Sequence, residues 1–156
     1  SWVDGKAHID SDICYGCAEC VTNCRFDAVD VNAGGTTVTL QEKMAEYAWG
    51  ALREKKEAGK MVFANFLVHV TKYCDCLSEA QKKAIADIGI LVSFDPVAID
   101  QATADLLHHE HGKDFLHEMW PEIDYDVQLR HAEELGLGTR EYELIRLDEA
   151  EDIGAR

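Results

Sequence analysis

Cys14, Cys17, Cys20 and Cys24 stand in one run, Ile-Cys-Tyr-Gly-Cys-Ala-Glu-Cys-Val-Thr-Asn-Cys, with the spacing C-x2-C-x2-C-x3-C. No other feature restricts the chain so tightly. A loop this short turns three thiolates toward one point. The fourth cysteine, one turn into a following helix, points away and commonly serves a second centre. This is the ligand spacing of a [4Fe–4S] cluster. Gly16 and Ala18 are small enough for backbone N–H groups to approach the sulfurs. Zinc is the competing occupant, but its sites favour two C-x2-C pairs about 12–20 residues apart. Disulfides suit a secreted chain better than this one.

With 156 residues, of which 47% are apolar, the chain suffices for one compact domain or one domain with a small insertion. No apolar run approaches the ~20 residues that span a bilayer. No basic, apolar signal segment opens the sequence. Six cysteines in metal-like spacing without such a signal point to the reducing cytoplasm. Thirty acidic residues against 15 basic ones give a net charge of −15. That excludes a Lys/Arg stripe able to neutralise nucleic-acid phosphates or an anionic membrane. The charge serves solubility in the plainer reading, and docking to a basic redox partner in the sharper one.

Periodicity predicts a small lobe and a larger body. Residues 6–10 read as a strand into the cysteine loop, residues 21–26 as a helical turn, and residues 28–32 as a strand leaving it. That is half of a ferredoxin-like fold, and Gly34-Gly35 looks like a joint. The expected division is therefore a ferredoxin-like iron–sulfur lobe at residues 1–35 and an α/β body at residues 36–156. In the body, residues 41–58 read as an amphipathic helix with Met44, Ala48, Ala51 and Leu52 on its stripe, closed by Gly59. Residues 61–70 and 88–92 read as buried strands, covered on both faces in a mixed or parallel sheet. A short helix is expected at 79–86. Asp95-Pro96 starts another, with Asp as the cap and Pro in the first turn, running to Gly112. Helices follow at 114–119 and 124–135, a last strand at 142–147, and a frayed acidic tail.

Taken together, the stretch at residues 5–10, Asn65-Phe66-Leu67, Tyr73-Cys74-Asp75-Cys76, the stretch at 87–91 and the Ser-Phe-Asp-Pro-Val-Ala-Ile-Asp-Gln-Ala of residues 93–102 resemble the DUF362 family. Its members are uncharacterised Fe–S centre proteins with a ferredoxin-type insertion. The likeness covers residues 5–107. It implies the iron–sulfur lobe and the α/β body, and assigns no biochemical role. Family members are typically longer and often carry an earlier ferredoxin motif, so the resemblance implies either a C-terminal portion with an upstream domain missing or a short natural variant. Arg25 stands where ferredoxins usually have Pro.

Cys14, Cys17 and Cys20 are the expected first three ligands. The fourth is open among Cys24, Cys74 and Cys76. Cys74 and Cys76 are two residues apart and share a side of an extended segment. One of them closes the first cluster in this expectation. Cys24 and the other then help hold a second, so that the cofactor is one [4Fe–4S] cluster or two. The plainer account makes Cys74 and Cys76 small buried hydrophobes.

His108, His109 and His111, with His117 further on, are better explained by the helix end at Gly112 than by a metal. His69 reads as a satisfied core residue. Asp75, Asp87, Asp95 and Asp100 lie beside apolar segments. Asp95 is a cap, and Asp87 a binder of turn N–H groups. Asn65, within an apolar strand, requires a partner for its amide.

The leading functional expectation is an electron-transfer module serving a redox partner protein. The second is a redox or Lewis-acid enzyme, with an open iron beside a pocket of Asn65, Asp87 and Asp100. The third is a purely structural metal centre. The residues leave open whether the chain is an enzyme.

Overall fold

A computed structural model describes residues 2–3, 5–10, 12–14, 19–26, 28–29, 37–73 and 80–147. Contacts divide the chain into two compact units, Ser1–Gly34 and Gly35–Arg156.

In the first unit, β1 (Trp2–Val3) pairs antiparallel with β2 (Lys6–Ala7). Gly5, at φ 76°, turns the chain between them. The expected strand at 6–10 thus shrinks to two residues. Residues 28–29 form no strand, and 30–32 lie outside the described residues, as does the Gly34-Gly35 joint. A short helix, α1 (Glu19–Thr22), carries Cys20.

The second unit is a mixed α/β body. It opens with α2 (Thr37–Glu57). Its inward face is Ala45, Ala48, Trp49 and Leu52. Ala48 and Leu52 of the predicted stripe face inward, but Ala45 and Trp49 replace Met44, which is 51% exposed, and Ala51, which also faces solvent. The Trp49 side chain is the largest apolar surface available to this helix, and burying it sets the rotation. The helix ends as expected at Gly59, φ 62°. Lys60 N–H donates to Lys55 O at 3.1 Å and Gly59 N–H to Lys56 O at 2.9 Å, a Schellman closure.

β3 (Phe63–Leu67) and β4 (Gly89–Ser93) follow, joined antiparallel with Leu67 opposite Gly89 and Phe63 opposite Ser93. The expectation of a mixed or parallel sheet covered on both faces is corrected here. Among the described residues the sheet has two strands and is antiparallel. Its inner face meets α3 (Pro96–His111). Its outer face stays open, with Phe66 67% and Val92 66% exposed. An unbroken apolar run cannot distinguish a strand buried twice from one buried once, because composition carries no record of what lies opposite.

The helix expected at 79–86 is also absent over residues 80–86. Thr71 instead bridges Lys83, and Ala84 N–H donates to Val70 O at 2.8 Å. The last predicted strand, 142–147, has no regular structure.

α3 starts as its sequence dictates. Asp95 Oδ1 accepts from Val97 N–H at 2.9 Å and Ala98 N–H at 3.0 Å, and Pro96 occupies the first turn. It stops at Gly112, φ 77°, whose N–H reaches His108 O. α4 (Phe115–Met119) is capped by Asp114 through His117 N–H. α5 (Asp126–Glu134) ends in a second Schellman closure, Gly136 N–H to Glu133 O and Leu137 N–H to Ala132 O, both 2.9 Å.

Among the described residues, two apolar clusters form the core. One joins Ala45, Val97, Ala132 and Leu137 across α2, α3 and α5. The other joins Leu67, Ile85, Leu107 and Phe115 under the sheet and α4.

Candidate metal centre

Asp10 sets the entry to the cysteine run. Its carboxylate accepts from Asp12 N–H at 3.0 Å, and its carbonyl accepts from Cys14 N–H at 2.9 Å. This turn places Cys14 at the surface. α1 then presents Cys20, also exposed. Past α1 the chain continues to wind. Asn23 N–H donates to Glu19 O at 3.1 Å, Asn23 Nδ2 reinforces the same carbonyl at 2.9 Å, and Cys24 N–H donates to Val21 O at 3.4 Å. Cys24 is half-buried, and its Sγ accepts the backbone N–H of Ala28 at 3.3 Å. A backbone dipole directed at a sulfur favours the thiolate that metal binding requires. The three thiols are not joined in disulfides. They suit soft-metal ligation.

Cys17, Gly16 and Ala18 lie outside the described residues, and so do Cys74, Asp75 and Cys76. The flanks of the Cys74 segment are described, and they are firmly held. The Gln81 side chain brackets Tyr73: Oε1 accepts from Tyr73 N–H at 2.8 Å, and Nε2 donates to Tyr73 O at 2.9 Å. Thr71 Oγ1 donates to the same carbonyl at 2.8 Å. The Tyr73 ring meets Trp120 edge to face at 5.4 Å, and Lys72 Nζ lies 5.0 Å from the Trp120 ring centre.

A model of one protein family, DUF362, whose description reads "domain of unknown function", matches residues 12–105. The chain belongs to the DUF362 family. The matched stretch includes the cysteine run, Asn65 and the start of α3. No curated protein and no solved structure matches this DUF362 chain. Among its described residues no helix is long and apolar enough to cross a membrane.

The other candidates separate into unrelated local roles. Asn65 Nδ2 donates to Asp100 Oδ1 at 2.8 Å and to Thr103 Oγ1 at 2.9 Å, so its amide ties β3 to α3. Asp100 keeps an open side to solvent, yet desolvation by the packing around its carboxyl raises its pKa, against the lowering effect of the Asn65 amide. Asp87 accepts a backbone N–H as expected, but from the bend after β3, 18 residues away, rather than from its own turn. Its carboxylate accepts His69 N–H at 2.7 Å and pairs with Lys83 at 2.8 Å, which hold its pKa down. His69 is exposed at φ 54°, not a core residue as expected, because the chain leaves the strand before reaching it. Asn65 and Asp100 are thus together, while Asp87 is engaged elsewhere.

On α3, His111 Nε2 lies 3.2 Å from Glu118, whose pKa is lowered by His111 and then Lys113. His108 Nε2 lies 3.2 Å from Asp114 Oδ1 without hydrogen-bond alignment. His111 thus ties α3 to α4. Among the described residues no group of three or more His, Cys, Asp or Glu is arranged to hold a metal ion.

Proposed function

We propose that this DUF362 chain is a [4Fe–4S] protein that relays single electrons to a partner protein. The observation that carries the reading is the C-x2-C-x2-C-x3-C run, supported by the Ala28 N–H directed at Cys24 Sγ. A bound [4Fe–4S] cluster supplies one-electron redox chemistry with little change of shape.

The chain's own residues do the rest. Cys14, Cys17 and Cys20 bind as thiolates, and the fourth place falls to Cys24, Cys74 or Cys76. With Cys74 or Cys76 in that place, Cys24 and the remaining thiol are left to hold a second centre. Residues 1–35 form the half-ferredoxin-like lobe in this reading, and residues 36–156 the body that carries it. The Ala28 N–H withdraws charge from sulfur, which favours the reduced form. The net charge of −15 acts the other way, lowering the potential and favouring a basic partner. A reducing compartment such as the cytoplasm suits the exposed thiols. An open iron beside a pocket of Asn65, Asp87 and Asp100 has less support, because these side chains are engaged with protein partners in two separate places.

Anaerobic purification followed by iron, zinc and acid-labile sulfide analysis tests the proposal. Brown protein with about four irons and four sulfides per cluster is expected. Colourless protein, or zinc alone, refutes it. Serine replacements then assign ligands: Cys14→Ser, Cys17→Ser and Cys20→Ser lose iron, and unchanged iron in both Cys74→Ser and Cys76→Ser removes that pair.

A further inference from the structure

The outer face of the β3–β4 sheet is a continuous apolar surface. Side chains two residues apart share a face. Phe66 stands opposite Ile90 and Ala64 opposite Val92; Val62 and Phe94 extend the two strands by one residue each at the same end. None of these six side chains carries a polar atom, in a chain that is 29% charged. Val62 is 63% exposed, Phe66 67%, Ile90 58%, Val92 66% and Phe94 78%. At about 150–250 Å² for a whole aromatic side chain, and less for Val and Ile, these fractions leave roughly 600 Å² of apolar surface in one patch. That is the upper limit of the ~300–600 Å² found as the largest patch on an ordinary monomer.

We infer that this face pairs with the same face of a second copy of the chain. The area is sufficient: two such patches bury roughly 1,200 Å², beyond the ~1,000 Å² that a specific interface requires. The relief is self-complementary. The two phenylalanines stand on different strands at opposite ends of the patch, with the smallest pair, Ala64 and Val92, between them. A two-fold axis through that centre, lying between the sheets along or across the strands, sets the Ala64–Val92 middles over each other and each Phe over Val62 or Ile90 of the other copy, as in face-to-face sheet packing about 10 Å apart. Each copy carries −15, so charge repulsion opposes pairing and salt relieves it. The interface is apolar, so association tightens as ionic strength rises, the reverse of a salt-bridged contact.

Sedimentation velocity on the full chain, purified without oxygen, decides the matter over about 1–100 µM. A concentration-dependent monomer–dimer equilibrium that strengthens with salt is expected. Phe66→Glu weakens it at least ~100-fold, and Phe94→Glu acts likewise from the other strand. Both side chains are largely in solvent in one copy, so circular dichroism of the variants matches the parent. A parent chain that stays monomeric throughout, that forms open-ended aggregates instead of dimers, or whose dimer survives both substitutions overturns the inference. None of these outcomes depends on the metal content, so the electron-transfer proposal stands or falls separately.

Discussion

At Gly138 a single methyl group has no room. A Cβ there would lie 2.0 Å from Asp95 Oδ1 and 2.8 Å from Val97 Cγ2. Asp95 is the cap of α3, and its second oxygen also accepts Thr139 N–H at 3.1 Å. Gly138→Ala should therefore dislodge the cap and cost about 2 kcal/mol or more. Gly50, inside α2 with nothing within 4 Å of its would-be Cβ, should behave oppositely. Gly50→Ala is expected to stabilise by about 0.5–1 kcal/mol. Urea unfolding of the two variants checks the pair, and equal shifts would contradict the account. Asp87 and Asp100 make a second contrast. The Asp87 carboxyl titrates below its ordinary 3.8, so its stabilisation is present above that value and lost as pH falls through its folded pKa. Asp100 titrates above 3.8, so its ionisation opposes folding as pH rises from that value through the raised one. Asp87→Asn should lower the unfolding midpoint at pH 7 and flatten the loss of stability below about pH 4, whereas Asp100→Asn should leave pH 7 stability equal or higher. Urea titrations at both pH values separate these signs. The role of Asp95 was legible in sequence because a cap is local chemistry, whereas the partner of Asp87, His69 N–H, comes from a segment 18 residues away. The partners of Asn65 were not legible either, since Asp100 and Thr103 lie 35 and 38 residues away.

Among the elements, the segment after α5 shows most clearly how order arises without regular structure. Arg140 Nε donates to Gln101 Oε1 on α3 at 2.8 Å, its guanidinium grips Asp126 on α5, and its N–H donates to Glu133 Oε1 at 2.7 Å. Tyr142 adds a hydrogen bond to Asp105 at 2.7 Å; burial and then that carboxylate push its pKa up to about 12. Replacing Arg140 by Ala should cost about 1–3 kcal/mol, since a forked, charge-assisted contact is lost. It should also speed amide exchange across residues 139–142 more than within α3. Uniform acceleration would mean that the clasp is no local device. A strand predicted from Tyr142 onward failed here because β-propensity reports a fit to a neighbouring strand, and no described strand pairs with this segment. α3 succeeded because its start and stop, Asp95-Pro96 and Gly112, are written within the helix itself.

For the whole molecule, both apolar clusters lie within the second unit, between Ala45 and Leu137. A body beginning at Thr37 should thus fold without the cysteine lobe. It should show a single cooperative thermal transition, and the helical signal expected of α2, α3, α4 and α5. A broad, non-cooperative melt of this body would show that the lobe contributes to its stability.

The order of residues alone carried the family, the start and stop of α3 and the close of α2 at Gly59, because caps and C-terminal glycines act within a few positions of themselves. Tertiary structure alone decided which side of α2 turns inward, that β3 and β4 run antiparallel with one face uncovered, and which distant groups satisfy Asn65 and Arg140. Those outcomes depend on surfaces brought together from far along the chain, and a string of side chains holds no record of what each will meet.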